Sequence, residues 1–172
     1  SRRQRQMCIR DSFKGTTSID GLNVDTGAPS ITRTAMKDYL DSFIDTYEKE
    51  YLKLVLGRDM CRQFINYLKA DGEDKIDKWE RLKEFLTKDG KSPIANYVFF
   101  FFVRRNNVHV SDVGTTSSDD EDHADPNAVL IPAWNEMVEM NNDLLDFLCK
   151  DDSYDGFSFD RSMLEEINSF GL

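Results

Sequence analysis

The sequence has 172 residues, enough for one domain with a real core and small for two. Lys plus Arg is 22 against 32 for Asp plus Glu, a formal net charge of −10, while 40% apolar and 12% aromatic residues exclude a disordered chain. The longest apolar run, Tyr97 to Val103, falls far short of the ~20 residues that a bilayer span needs, so no transmembrane helix and no membrane partner are expected.

The basic start runs into Cys8-Ile9-Arg10-Asp11-Ser12 and not into an apolar stretch, so no secretory leader is expected. Cys8, Cys61 and Cys149 are widely spaced and form no CxxC pair, which argues against a zinc site or a disulfide framework. The only histidines are His109 and His123, both in polar surroundings.

Charge is unevenly distributed. Residues 1–14 carry Arg2, Arg3, Arg5, Arg10 and Lys14 against Asp11, a net of +4. Residues 15–118 are nearly balanced at −1, and residues 119–172 carry a net of −13. A basic arm, a balanced body and an acidic last third follow. The arm suits a phosphate backbone or an acidic protein surface, or is a solvated terminus. An acidic chain repels a polyanion, and counterion release needs a basic face, so nucleic-acid binding is not expected as the main function.

Residues 1–31 form the basic arm; their Gly, Thr, Ser and Pro content from residue 15 onward is that of an extended linker. A helical bundle is expected over residues 32–150, and a tail over 151–172. In the first helix Met36, Leu40, Phe43, Ile44, Tyr47, Tyr51, Leu54 and Val55 make one apolar stripe of about six turns. Thr32 or Thr34 is placed as its N-cap, and Gly57 where a C′ glycine belongs. The second helix spans Asp59, its cap, to Lys69, with Cys61, Phe64, Ile65 and Leu68 inward; Cys61 there reads as a small core residue. The third runs from about Lys75 to Lys88 on Ile76, Trp79, Leu82, Phe85 and Leu86, with Lys83 at the margin, and Asp89-Gly90 closes it.

Ser92 and Pro93 then open a fourth helix, Ile94 to Arg105, apolar on every side until Arg104 and Arg105. Such a helix must be covered all round. It is either the centre of the bundle or one side of a contact between subunits, and the four consecutive phenylalanines favour the contact. The expected subunit interface is therefore Tyr97, Phe99, Phe100, Phe101, Phe102, Arg104 and Arg105.

Residues 106–127 read as a polar loop with an acidic block, Asp119 to Asp122; Val108, Val110 and the turn at Gly114 could make a hairpin edge. The acids and His123 lack the glycine and spacing of an EF-hand loop. A fifth helix runs from Asn127 or Ala128 to Lys150 on Leu130, Ala133, Trp134, Met137, Val138, Met140, Asn141, Leu144, Leu145, Leu148 and Cys149, with Pro132 near its start or kinking it. Asp160 caps a short last helix on Met163, Leu164, Ile167 and Phe170. The fold class is thus all-α: four to five helices in a bundle, an extended N-terminal arm, a long loop and a short C-terminal helix.

GxGxxG, GxxxxGK[ST], GxSxG and HExxH are all absent, and the carboxylates sit mostly on wet helix faces. No catalytic residue, cofactor or metal ligand is assigned, so the chain is not expected to be an enzyme. A hydrolase built on Asp119, Asp120, Asp122 and His123 is the weakest reading.

Several strings carry a family likeness: Val55-Leu56-Gly57-Arg58-Asp59, Lys78-Trp79-Glu80-Arg81-Leu82, Ile94-Ala95-Asn96-Tyr97-Val98-Phe99-Phe100-Phe101 running into Arg105-Asn106-Asn107, Val113-Gly114-Thr115, and Ala133-Trp134-Asn135-Glu136-Met137-Val138. Over residues 32–150 the chain resembles the head-to-tail connector (adaptor, or ring) proteins of tailed phages of Bacteroidetes, including crAss-like phages. The resemblance implies a virion protein at the head-tail junction, about twelve copies closing into a ring by side-to-side contacts. Its partners would be the portal protein and other connector or tail proteins, with DNA passing through the lumen unbound. It makes contact elements of the arm and of loop 106–127, with Arg2, Arg3, Arg5, Arg10, His109, Val110 and Val113 facing the portal or a neighbour. Surplus acids along a lumen would keep DNA sliding by repulsion. The alternative is a non-catalytic helical interaction module, a phage-encoded adaptor or regulator that binds another protein.

Overall fold

A computed structural model of the chain describes residues 30–70, 76–112 and 127–168, with side chains at 38–70, 76–105 and 127–168. It is all-α: α1 (Ser30–Leu56), α2 (Arg58–Lys69), α3 (Asp77–Leu86), α4 (Pro93–Asp112) and α5 (Asn127–Cys149), with 3-10 turns at Lys88–Gly90, Asp152–Tyr154 and Arg161–Leu164. No strand occurs among the described residues. The arm and residues 113–126 lie outside them.

α4 is the axis. Its apolar residues pack against α5 on one side and α1 on the other. The aromatic pairs fix the register: Phe43 meets Phe102 edge-on at 5.3 Å, Tyr47 stacks on Phe101 at 4.8 Å, and Tyr51 meets Tyr97 at 5.6 Å. Rising numbers on α1 meet falling numbers on α4, so the two run antiparallel. On the other side Lys91 reaches Glu136 and Asn96 reaches Ala133, which makes α4 and α5 antiparallel as well. The start of α1, the end of α4 and the start of α5 therefore share one end of the bundle.

From Leu40 to Val55 the stripe read on α1 faces the core, with Tyr47 and Leu54 half-buried, but it is narrow; the side chain of Met36 lies outside the described ones. Leu52 and Leu56 are buried beside Leu40, Phe43, Ile44, Tyr51 and Val55, because α1 also takes contacts from α2. In α2, Met60, Cys61 and Phe64 are buried, and burial pushes the Cys61 thiol up, as expected of a core residue. In α3, Trp79, Leu82 and Leu86 point inward, but Ile76 stands one residue ahead of the helix and is exposed. Asp59 is not a cap: Gly57 holds that position, and Asp59 in the first turn pairs with Arg62 at 3.0 Å. Thr32 and Thr34 are inside α1, which begins at Ser30. Ser92 precedes α4 as placed, yet its buried hydroxyl makes no hydrogen bond, so the cap is not made by its side chain.

Two larger differences concern the ends. α4 continues as helix through Asp112, so residues 108–110 form no hairpin edge. After α5 the expected C-terminal helix is a single 3-10 turn. Asp160 does cap it, accepting from the Ser162 amide and hydroxyl at 3.0 and 2.8 Å, but from Glu165 the chain is extended.

The tail forms no longer helix than this turn because the bundle takes up its main chain. The last carbonyls of a helix lack partners within it. At the end of α1, Lys53 O accepts from the Gly57 amide, Leu54 O from the Asp160 amide at 2.7 Å, and Leu56 O from the Ser158 amide at 3.2 Å. Gly57 has φ +76°, and a Cβ there would stand 2.9 Å from the Ser158 Cβ, so glycine serves both the turn and the close approach.

Gly90 supplies the comparison, with φ +71° and open space where a Cβ would go. Gly90→Ala should cost about 1–2 kcal/mol, the left-handed backbone alone. Gly57→Ala should cost a further ~1–3 kcal/mol from overpacking against Ser158. Urea unfolding of both variants measures the difference; equal costs would mean that the tail steps aside freely.

Candidate functional site

The aromatic run expected to face a neighbouring copy is closed over by its own chain. Tyr97 is 2% exposed, Phe99 and Phe100 are each 3%, and Phe102 is 5%; Phe101 is half-buried. The reason is length. α1 and α5 are each longer than α4's apolar segment, and Tyr39, Phe43, Tyr47 and Trp134 supply rings that sheathe it. Within one copy α4 thus stands at the bundle's centre, and of its phenylalanines Phe101 keeps a half-exposed side. Of the residues named for the subunit contact, only Arg104 and Arg105 are exposed. The Arg105 guanidinium lies 5.6 Å from the centroid of the Phe43 ring, and Tyr39 beside it is 36% exposed.

His109 and Val110 belong to α4, but their side chains, like Arg2, Arg3, Arg5, Arg10, Val113, the acidic block and Phe170, lie outside the described ones. Among the described residues no three His, Cys, Asp or Glu side chains come together to hold a metal ion. No helix there is long and apolar enough to cross a membrane.

The polar groups of the core are engaged in joining elements. Tyr51, fully buried, donates to Asn141 Oδ1 at 2.5 Å, and Asn141 Nδ2 donates to the Met163 carbonyl at 2.8 Å. Burial holds the Tyr51 hydroxyl far above its usual range, so it stays a donor. Tyr97 donates to Glu50 at 3.0 Å and is raised by burial and by that carboxylate. Asn96 Nδ2 bridges to Ala133 O at 2.9 Å and to Glu136 at 3.1 Å. Tyr154 donates to the Lys78 carbonyl at 2.6 Å, and burial pushes its hydroxyl up to about 12. None of these groups lines the groove of about 530 Å³ beside α5.

Two grooves remain. One, of about 530 Å³, opens between the turn after α3 and the outer side of α5, over Phe85, Phe147 and Met140. Its rim mixes Lys88, Lys91 and Lys150 with Asp89, Asp143 and Asp146, and the Lys150–Asp146 pair at 3.7 Å spans part of it. The rim favours neither sign of ligand.

The other groove lies between α1 and α5 and already holds a peptide, the chain's own tail. Besides the α1 carbonyls and Asn141, Trp134 Nε1 donates to Glu165 O at 2.9 Å. Asn135 grips Ile167 twice, donating to its carbonyl at 3.1 Å and accepting from its amide at 3.0 Å. Met163 is buried beneath, and Phe157 and Phe159 are half-buried against the core. Sequence reasoning placed Trp134 and Asn141 on the inner stripe of α5 but did not see that they read main chain. Asn141 within an apolar stripe was the available signal, since a buried amide needs partners.

No family model matches the chain, and neither does any curated protein or solved structure.

Asn141→Ala should cost about 2–4 kcal/mol and Tyr51→Phe about 1–2 kcal/mol, because the first strands both the tyrosine hydroxyl and the Met163 carbonyl. Phe99→Ala should cost about 3–5 kcal/mol of folding stability and leave the mass of the particle in solution unchanged; both are read from denaturant unfolding with mass photometry alongside.

Acid should loosen the tail. The Ser162 hydroxyl, then its amide, holds the Asp160 carboxyl below the usual range, and Ser153 does the same for Asp151, aided by Arg81. A depressed carboxylate contributes stability above its unfolded pKa, about 4, and that contribution is lost as pH falls through the folded value. Amide protection at Ser162, corrected for intrinsic exchange, should therefore hold from neutral pH to about 4 and fall below it. In Asp160→Asn the fall should flatten.

Proposed function

We propose that the chain is a non-catalytic structural subunit of a phage head-to-tail connector, one copy of a ring that bridges portal and tail and continues the DNA channel. The observation that carries this reading is the layout of the bundle's ends. α1 begins, α4 ends and α5 begins at one end. Residues 113–126, with five acids and no Lys or Arg, join α4 to α5 there, and the basic residues 1–14, net +4, precede α1 in the sequence. Those are the segments that the resemblance makes contact elements, and they carry opposite charge, which suits contacts between different patches of identical copies. Exposed Arg104 and Arg105 lie on α4 towards the same end.

A second reading is a single-copy helical interaction module. What favours it is the enclosure of the α4 phenylalanines, which removes the greasy surface that would drive spontaneous ring closure. On the connector reading, that same enclosure makes the isolated chain a monomer that assembles only on a template.

Mass photometry and negative-stain microscopy of the full chain, alone and mixed with its portal protein, test the proposal. A monomer alone and annular particles on the portal are expected. A monomer that ignores the portal and captures a non-virion protein instead would establish the second reading.

A further inference from the structure

The α1–α5 groove recognises its occupant through main-chain atoms on either side of, and within, the 3-10 turn at Arg161–Leu164. Leu54 O, Leu56 O, Trp134, Asn135 and Asn141 all address main-chain atoms, at residues 158, 160, 163, 165 and 167. The one fully buried side chain of the segment is Met163. Nothing in this set of contacts depends on the segment belonging to the same molecule.

What returns the tail to its own groove is a two-residue turn. Upstream of it the chain is locked: Tyr154 is buried and bonded to the Lys78 carbonyl, and Asp151 pairs with Arg81 at 2.7 Å. Downstream the groove contacts begin at Ser158. Between them Asp155 and Gly156 are exposed, and Gly156 has φ +88° with open space around it. A change of backbone angles at Gly156 would break the turn bond from the Phe157 amide to the Tyr154 carbonyl, 3.2 Å, and send residues 157–168 away from the bundle with the bonds that they make from Ser158 onward free to re-form in a groove.

We propose that the α1–α5 groove takes residues 157–168 of a second copy of this chain, so that adjoining copies are linked by exchanged C-terminal tails. This rests on the connector reading for its setting, where identical copies stand side by side. Closed and exchanged forms share the same contacts and differ in the turn at 155–156 and in concentration. A tethered tail sees its own groove at an effective concentration of about 1 mM, so the closed form prevails in dilute solution and exchange becomes competitive once copies are packed.

The test is Gly156→Pro in the full chain. Proline holds φ near −65° and cannot adopt the closed turn, but is compatible with an opened hinge. Sedimentation should show a dimer or larger species at least about tenfold more populated than in the parent at equal concentration, and Asn135→Ala added to Gly156→Pro should return it to the parent's state. A labelled peptide of residues 157–168 should bind Gly156→Pro saturably, and bind the parent at least about tenfold more weakly. A helical Gly156→Pro that shows no added association and no peptide binding overturns the proposal. If that variant does not fold, the parent itself decides: held near ~1 mM and then diluted, it should show a slowly decaying dimer, and an immediate return to monomer overturns the idea. Annular parent particles on the portal with no exchange in any arm would sink tail exchange and leave the connector reading intact; exchange without portal association would do the reverse.

Discussion

A helix that is apolar around its whole circumference has no side to turn to water, and the rest of the molecule is arranged around that constraint. α4 carries it. α1 runs alongside for nearly its full length and covers it with Phe43, Tyr47 and Tyr51, while α5 closes the opposite side with Trp134 and Ala133. Rings in edge-on and stacked contact fill this interior, and such pairs add about 0.5–1.5 kcal/mol each beyond simple burial. The smaller helices α2 and α3 cover what the long pair leaves, and Phe64 against Trp79 at 5.5 Å joins them to each other.

The helices were largely legible because hydrophobic periodicity and punctuation agree along the chain. Leu40, Phe43, Ile44, Tyr51 and Val55 could be placed inside from spacing alone, and Pro93 marked the start of α4 to the residue. Periodicity is silent where a helix has no polar side. Residues 97–102 announce burial without saying by what, and the length of α1 and α5 decided it in favour of the chain itself. The polar residues 106–112 carried loop composition, yet the helix continues through them.

The tail shows the other kind of illegibility. Met163, Leu164 and Ile167 have helical spacing, and an isolated segment would be free to follow it. Asn135, Asn141 and Trp134 offer its main chain better partners than a short helix could, and an amide that both donates to and accepts from one residue imitates a neighbouring strand. Side chains that bond backbone leave no pattern in the segment they bind. The connector resemblance rests on strings of sequence, the aromatic run among them, and the charge layout on sequence and attachment.

The dependence of α1 and α5 on the tail sets an order of events during synthesis. Residues 158–167 leave the ribosome after every helix that they fasten. Until then the Leu54 and Leu56 carbonyls stay wet and Asn141 lacks one of its partners. A growing chain thus holds five helices with one seam still open, and closes it only when residues 158–167 have emerged.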